Sequence, residues 1–539
     1  MRPFLALPLV ATLATALAGC ATSELATAPA APNQPWQPDT TADGSIVPAH
    51  TGGKKGLVLP PGYTLPSDPH VVTLGSSPLL PPQGGRPYTL ADLIDTAQSS
   101  NPQTRMAWNT ARDAALAVGI IKSTYLPYLT ATVVGGITHS QGGQTTDATL
   151  NVNQALSLNA DGSPQQHNTS TGEVQTLGLQ WLLFDFGRRE ALVRSAREAQ
   201  LATNVLFTAA HQKIIYAVTI AFYTHAAAAN RVALLHTSLD NAARIQAASE
   251  ARLKQGQGTI VDVTQAQQAT AQVNLRLVQA EGEEQNTYMA LLSETGASAS
   301  SQIRLEDVSG RPLTLEDVRF SDAMVKQAVA RRPDVLAAYA AVRAARSRIT
   351  AARDAFRPSI FMTGNVSYAT GRMNLTSIPS ASSDFASTLN LSGNRFSTLL
   401  LGGVSIPIFD GGIRAAAVRR ARDQSDSAEA TLRQTINESI KQIVMAENAL
   451  HTSLSAYTAS SRLSVASHTG FDAALAAYRN GVGSITQTEL AGNGLLDADI
   501  SRSDAYYASL MAAAGLAFAT GALGDAQTMA ELPSENEPP

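Results

Sequence analysis

A mainly α-helical chain carrying membrane-type β-hairpins is the fold class this sequence predicts, and three observations lead there. A stretch from about Tyr88 to Gly296 recurs from about Leu315 to Gly521 with its landmarks in the same order, so the chain is an internal repeat. Within each copy a proline ends a helical pattern and the periodicity switches at once from 3.6 to 2. Each copy then runs through a proline-free stretch far longer than an ordinary globular helix.

The repeat register follows by subtraction. Asn101-Pro102 recurs as Arg332-Pro333, Trp108 as Tyr339, Arg112 as Arg343 and Pro127 as Pro358, all displaced by 231 residues. Further on the displacement falls to 225, pairing Phe184-Asp185 with Phe409-Asp410, Arg189 with Arg414, Gly256 with Gly481 and Thr295-Gly296 with Thr520-Gly521. The second copy is therefore six residues shorter between Pro358 and Phe409, where a deletion-tolerant loop tip belongs.

Composition narrows the class. Aromatic residues make up only 5% of the chain and alanine is abundant, which suits long close-packed helices. The net charge of -4, with arginines interleaved among acids, gives no sign of a nucleic-acid partner.

The N-terminus reads as an address, a signal over residues 1–19. Met1-Arg2 is followed by an apolar run from Phe4 to Ala16, too short to span a membrane as a helix, and Leu17-Ala18-Gly19-Cys20 closes it. That tetrapeptide matches the bacterial lipoprotein processing box, which makes Cys20 the expected acylation site and the first mature residue; an ordinary signal peptide with an incidental cysteine is the alternative. Cys20 is the only cysteine, so no intrachain disulfide forms. Residues 20–87 are rich in Pro, Gly, Ser and Thr and read as an extended tether, while 525–539 read as a disordered tail.

Repeat 1 spans 88–298 and repeat 2 spans 315–524, joined by a linker over 299–314. Each opens with a helix, about Thr89 to Leu126 and Ser321 to Phe356, stopped by Pro127 or Pro358. Hairpins over 128–183 and 359–408 follow. Leu129, Ala131, Val133 and Ile137 alternate with Thr130, Thr132 and Thr138, and Leu177, Leu179 and Trp181 with Thr176, Gly178 and Gln180. In the second copy Ile360, Met362, Val366 and Tyr368, then Phe396, Leu400, Val404 and Ile406, form the apolar set. A small soluble sandwich could use four such strands. Strands of about ten residues with one apolar face also fit a membrane barrel, and since lipid tolerates no open sheet edge and four strands cannot enclose a lumen, such a chain must oligomerise.

The long helices run from about Arg188 to Gln255 and Ile413 to Asn480, roughly 100 Å at about 1.5 Å per residue. A glycine turn at Gly256 or Gly481 reverses each into a helix of half that length. The return helix and the next repeat's opening helix together match the outward path. Arg189, Arg194 and Arg197, mirrored by Arg414, Arg419 and Arg422, read as solvated or acid-paired starts of the long helices, with anionic headgroups or peptidoglycan as the sharper possibility.

This arrangement, with its lipobox, resembles the TolC family of outer-membrane efflux ducts, particularly the lipoprotein members. The resemblance covers about Tyr88 to Gly524 and rests on Asn101-Pro102 and Arg332-Pro333, on Tyr125-Leu126-Pro127 and Phe356-Arg357-Pro358, on the Phe-Asp turns ending each hairpin, and on Gly256 to Asp262 (Gly-Gln-Gly-Thr-Ile-Val-Asp). It implies a homotrimer in the bacterial outer membrane, in which four strands per chain close a 12-stranded barrel continued by a periplasmic α-helical tunnel. The implied partners are an inner-membrane transporter, a periplasmic adaptor and outer-membrane lipid, and the implied function is passive conduction of small molecules to the exterior. A type I protein-secretion duct and a non-conducting envelope scaffold are the alternatives.

In the family the periplasmic helical turns form the aperture. By position these turns offer Leu253, Gly256 and Asp262 in repeat 1 and Tyr478, Arg479, Gly481 and Gln487 in repeat 2. Asp262 matches a family aspartate and Tyr478 the family aromatic, whereas Gln487 stands where a second aspartate is common, which weakens the expected acidic constriction. Asp262 also reads as a carboxylate favoured by a helix N-terminus, and a threefold ring of it would attract cations; the two roles are compatible. No catalytic function is expected and no cofactor or metal is implied: the nine histidines show no ligand spacing and no glycine-rich segment ends as a phosphate loop does.

Overall fold

The computed structural model describes residues 78–80, 86–141, 167–310, 313, 322–371 and 396–523, with 28, 39–40 and 46–47 upstream. The signal, Cys20, most of the tether, both hairpin tips and the tail lie outside the described residues. Two units make up the chain, a helical one (1–119, 194–346, 422–539) and a smaller one containing the sheet (120–193, 347–421).

The opening helix of repeat 1 is two helices, not one. α1 spans Leu90–Ser100 and α2 spans Pro102–Ser123, and in repeat 2 α5 (Asp322–Arg331) and α6 (Pro333–Asp354) divide the same way. The breaks fall at Asn101 and Arg332 because a residue preceding proline is driven out of the α region, while proline itself suits a first helical position. Asn101 accordingly has ψ 127°. Thr89 starts α1 with a capping box in which it and Asp92 satisfy each other's backbone N–H.

Between these pairs run α3 (Arg188–Lys254) and α4 (Ile260–Thr295), and after the second hairpin α7 (Ile413–Arg479) and α8 (Ile485–Ala519). α4, α5 and α6 have 36, 10 and 22 residues, a total of 68 against 67 in α3, so the return path matches the outward one in length. The main core of the helical unit gathers Leu93, Ile94, Phe222, Leu291, Leu292, Tyr506 and Leu523.

The breaks at Asn101 and Arg332 close against the far ends of the return helices. Asn101 Nδ2 donates to Glu294 O at 3.0 Å and Ser100 Oγ to Thr295 O at 3.0 Å. In repeat 2 Arg332 Nη1 donates to Ala519 O at 2.6 Å and Arg331 Nε to Thr520 O at 3.1 Å. The same carbonyls, left orphaned at helix C-termini, are satisfied from the same repeat positions by different chemistry.

The sheet unit holds β1 (Tyr128–Gln141), β2 (His167–Phe184), β3 (Ser359–Gly371) and β4 (Phe396–Ser405), antiparallel in the order β1-β2-β3-β4. Paired residues share a face, so each row across the sheet lies on one side of it. Leu129, Leu179, Gly364 and Leu400 form one row, and Ala131, Leu177, Val366 and Thr398 another. The opposite face carries rows such as Thr132, Thr176, Ser367 and Ser397. The exceptions on this polar face include Leu399 and Leu401. Ile137 pairs with Thr171 and Tyr368 with Phe396, separations of 34 and 28 residues, so the six-residue difference between the repeats lies beyond these pairs at the hairpin tips.

Where β2 meets α3, Asp185 accepts the N–H of Arg189 at 3.0 Å. Of the solvated and acid-paired readings Arg189 takes the second: it is buried with its Nε 3.4 Å from Asp185 Oδ2, and its guanidinium donates to Thr124 O, Leu182 O and Leu183 O at 3.0, 2.7 and 3.1 Å and lies 4.4 Å over the Tyr125 ring. Thr124 follows α2, and Leu182 and Leu183 lie where β2 runs past the start of β1 with no β1 residue opposite, so a forked cation satisfies three carbonyls at once. Arg194, Arg197, Arg419 and Arg422 are exposed, while Arg414 repeats the acid pairing with Asp410 at 3.1 Å.

Candidate functional site

The candidate aperture residues all lie at the two glycine turns of the helical unit. Gly256 and Gly481 adopt φ of +73° and +81°, the left-handed region that lets a helix stop and reverse without a Cβ penalty. The carbonyls of Tyr478, Ala477 and Arg252 then close the turns, accepting Gly481 N–H at 3.1 Å, Val482 N–H at 3.0 Å and Gln257 N–H at 2.9 Å.

Two side-chain bridges join the turn of one repeat to that of the other. Arg252 Nη1 donates to Tyr478 O at 2.5 Å, its Nη2 to Gln257 O at 3.3 Å, and its guanidinium carbon sits 4.8 Å from the centre of the Tyr478 ring. Gln265 Nε2 donates to Glu489 Oε2 at 2.8 Å and Thr486 Oγ1 at 3.3 Å. Beneath them Ile245, Phe471, Leu475, Tyr478 and Ile485 pack into one apolar cluster.

The candidates do not all contribute in the same way. Tyr478 is buried and clasped; Leu253, Arg479 and Gln487 are exposed, with no role in either bridge. Asp262 is the third residue of α4, and its carboxylate accepts the N–H of Thr259 at 3.0 Å while Thr259 Oγ1 accepts that of Asp262 at 3.2 Å. This capping box accounts for one carboxylate oxygen and leaves the charge near the turn. In repeat 2 Ser484 caps Gln487 N at 3.3 Å without the reciprocal bond. Arg252 and Gln265 were not among the sequence candidates; their partners lie 226 and 224 positions away, and only adjacency to Leu253 and Asp262 hinted at them.

Burial sets the local electrostatics. It pushes the Tyr478 phenol above its ordinary range, with the Asp262 carboxylate adding to the rise and Arg252 opposing it. Burial likewise raises the Glu489 carboxyl, which the bond from Gln265 partly offsets, and Glu489 Oε1 finds no partner among the described residues. Around the clasp stand apolar side chains open to solvent, Ile260, Val261, Val482 and Leu490. No group of three or more metal-ligating side chains occurs among the described residues. The arrangement joins the two helical turns beneath an apolar rim that carries charges of both signs, Arg252, Lys254 and Arg479 beside Asp262 and Glu489.

Residues 93–297 and 324–522 each match the family described as Outer membrane efflux protein. The chain is 26% identical to Protein CyaE of Bordetella pertussis over 392 residues, 71% of this chain and 72% of that protein. It is 28% identical to Outer membrane protein OprJ of Pseudomonas aeruginosa over 301 residues, 55% of this chain and about six-tenths (59%) of that one. The Campylobacter jejuni CmeC outer membrane channel superposes with a TM-score of 0.65 at 17% identity, covering 82% of this chain and 88% of that one, a likeness of fold.

Proposed function

Because the chain belongs to the outer membrane efflux protein family, we propose that three copies form an outer-membrane duct through which small molecules pass passively, delivered by an inner-membrane transporter and a periplasmic adaptor. The observation that carries this reading is the four-stranded sheet with an exposed apolar face and two unpaired edges, β1 and β4. Leu129, Val133, Ile137, Leu400 and Val404 are each 50–72% exposed in one copy, an arrangement that water disfavours and a bilayer covers. Open edges in lipid would strand backbone groups, so closure by further copies is required.

In this reading Cys20 carries the lipid anchor, and the Gly256 and Gly481 turns form the periplasmic aperture. The Arg252–Tyr478 latch holds the turns together at rest. Adaptor contact there separates them, and Asp262, repeated around the axis, favours cations over anions. Reconstitution of the purified protein in planar bilayers tests this: step-like single-channel currents are expected, and their absence even in latch-breaking variants would favour a non-conducting scaffold.

A further inference from the structure

The two hairpins share a scaffold and differ in what they place on the polar face of the sheet. Under the displacements of 231 and 225 residues, the β3–β4 pairs Phe361↔Gly403 and Thr363↔Leu401 correspond to Thr130↔Gly178 and Thr132↔Thr176, pairs that β1 and β2 do form. At two of these positions the second repeat therefore carries a large apolar side chain where the first carries a threonine. A third, Leu399, stands where the first repeat has Val174, but it is 45% exposed against 2%.

Phe361 is positioned by the strand beside it. In both hairpins a glycine leaves room for the side chain opposite: a Cβ on Gly178 would stand 2.7 Å from Thr130 Oγ1, and one on Gly403 would stand 2.6 Å from the Phe361 ring. The ring therefore lies across the bare strand at Gly403, with Leu401 its diagonal neighbour on the same face. Phe361 and Leu401 remain 37% and 50% exposed, and Leu182 is paired with Phe361 from β2. The rows that contain Leu182, Leu401 and Leu399 carry no charged side chain.

We propose that Phe361, Leu401 and Leu399 form a subsite on the inner wall of the duct that holds neutral aromatic or aliphatic solutes in transit and so determines which cargo passes most readily. This rests on the duct reading above: with the apolar face of the sheet covered by bilayer, the opposite face lines the water-filled interior. Water disfavours apolar side chains there, and the scaffold does not require them, since Thr130 and Thr176 serve at the equivalent positions of the first repeat. A ring laid over glycine and flanked by leucines presents a stacking surface to a solute ring. Thr363 and Asn365 beside it supply hydrogen bonds, and no charge is present to favour an ion over a neutral molecule.

The test has two arms, both on the full-length protein. In membranes, Leu401→Cys is expected to react with a charged, water-soluble methanethiosulfonate and Leu400→Cys, on the bilayer face, to resist it, with the parent protein controlling for Cys20. A shielded Leu401→Cys, as lipid or another segment lying over the patch would give, overturns the subsite. In planar bilayers, indole serves as the neutral aromatic probe and is expected to block the open channel reversibly. Block should be about fivefold weaker after Phe361→Thr with Leu401→Thr, the residues the first repeat uses. Should that variant fail to assemble, Gly403→Ala displaces the ring while keeping it and should also weaken block, and Thr130→Phe, which lays a second ring over Gly178, should strengthen it. No block of the parent, or equal block in parent and variants, overturns the subsite and leaves the duct standing. Silent bilayers from a trimer confirmed by native mass spectrometry overturn the duct and the subsite with it.

Discussion

Arg332 donates to the main-chain oxygen of Ala519 at 2.6 Å, in the place where Asn101 of the other repeat donates to Glu294 at 3.0 Å. One fold position therefore secures the joint between two helix ends with an ion in one repeat and a neutral amide in the other. Arg332 also holds Asp334 at 2.7 Å and Gln442 at 2.8 Å and is itself buried. Arg332→Ala removes the partner of several groups at once and is expected to cost about 3 kcal/mol, against about 1 kcal/mol for Asn101→Ala. Thermal unfolding of the two variants in one detergent should rank them in that order.

The latch is expected to set the resting state of the aperture. A charge-assisted bond to Tyr478 O plus the ring contact is worth about 1.5 kcal/mol, so Arg252→Ala should raise the open population about tenfold. Open probability in single-channel records reads this directly. Arg479→Ala, which breaks no bridge, is the control and should leave it unchanged.

Asp262 and its equivalent Gln487 separate capping from charge. Asp262→Asn keeps an acceptor for Thr259 N–H and removes the carboxylate, so cation preference in reversal-potential measurements should fall while stability changes by less than about 1 kcal/mol. Gln487→Glu should act oppositely, adding charge to the rim and supplying Ser484 with an N3 carboxylate able to complete a capping box.

His225 gives the helical unit a pH-dependent term. Burial holds its imidazole below the ordinary value of 6.5, with Glu284 opposing through its charge and a hydrogen bond. The folded state binds that proton less tightly than the unfolded one, so the contribution is complete above 6.5 and lost as pH falls through the lowered folded pKa. Melting temperature should therefore drop between pH 7.5 and 5, and His225→Gln should reduce the drop.

The fold was legible wherever local pattern and repeat agreed. Period-two alternation assigned the faces of all four strands, and the sheet rows follow it, although Leu399 and Leu401 set apolar side chains on the polar face of β4 as well. The helix breaks before Pro102 and Pro333 were encoded in X-Pro sterics, yet helical periodicity runs through them and reads as one helix. Arg189 was less accessible, since a charge suggests solvent and only tertiary structure reveals the cage of carbonyls around it. At the turns, positive φ at Gly256 and Gly481 was readable, but Arg252 acquires its role from a residue 226 positions away.

Single-channel recording of the purified protein, with and without Arg252→Ala, tests the central claim most directly. A conducting duct latched at its turns should show rare unitary currents in the parent protein and about tenfold more open time in the variant. Silent bilayers from both proteins, with assembly verified in the same preparation, would contradict it.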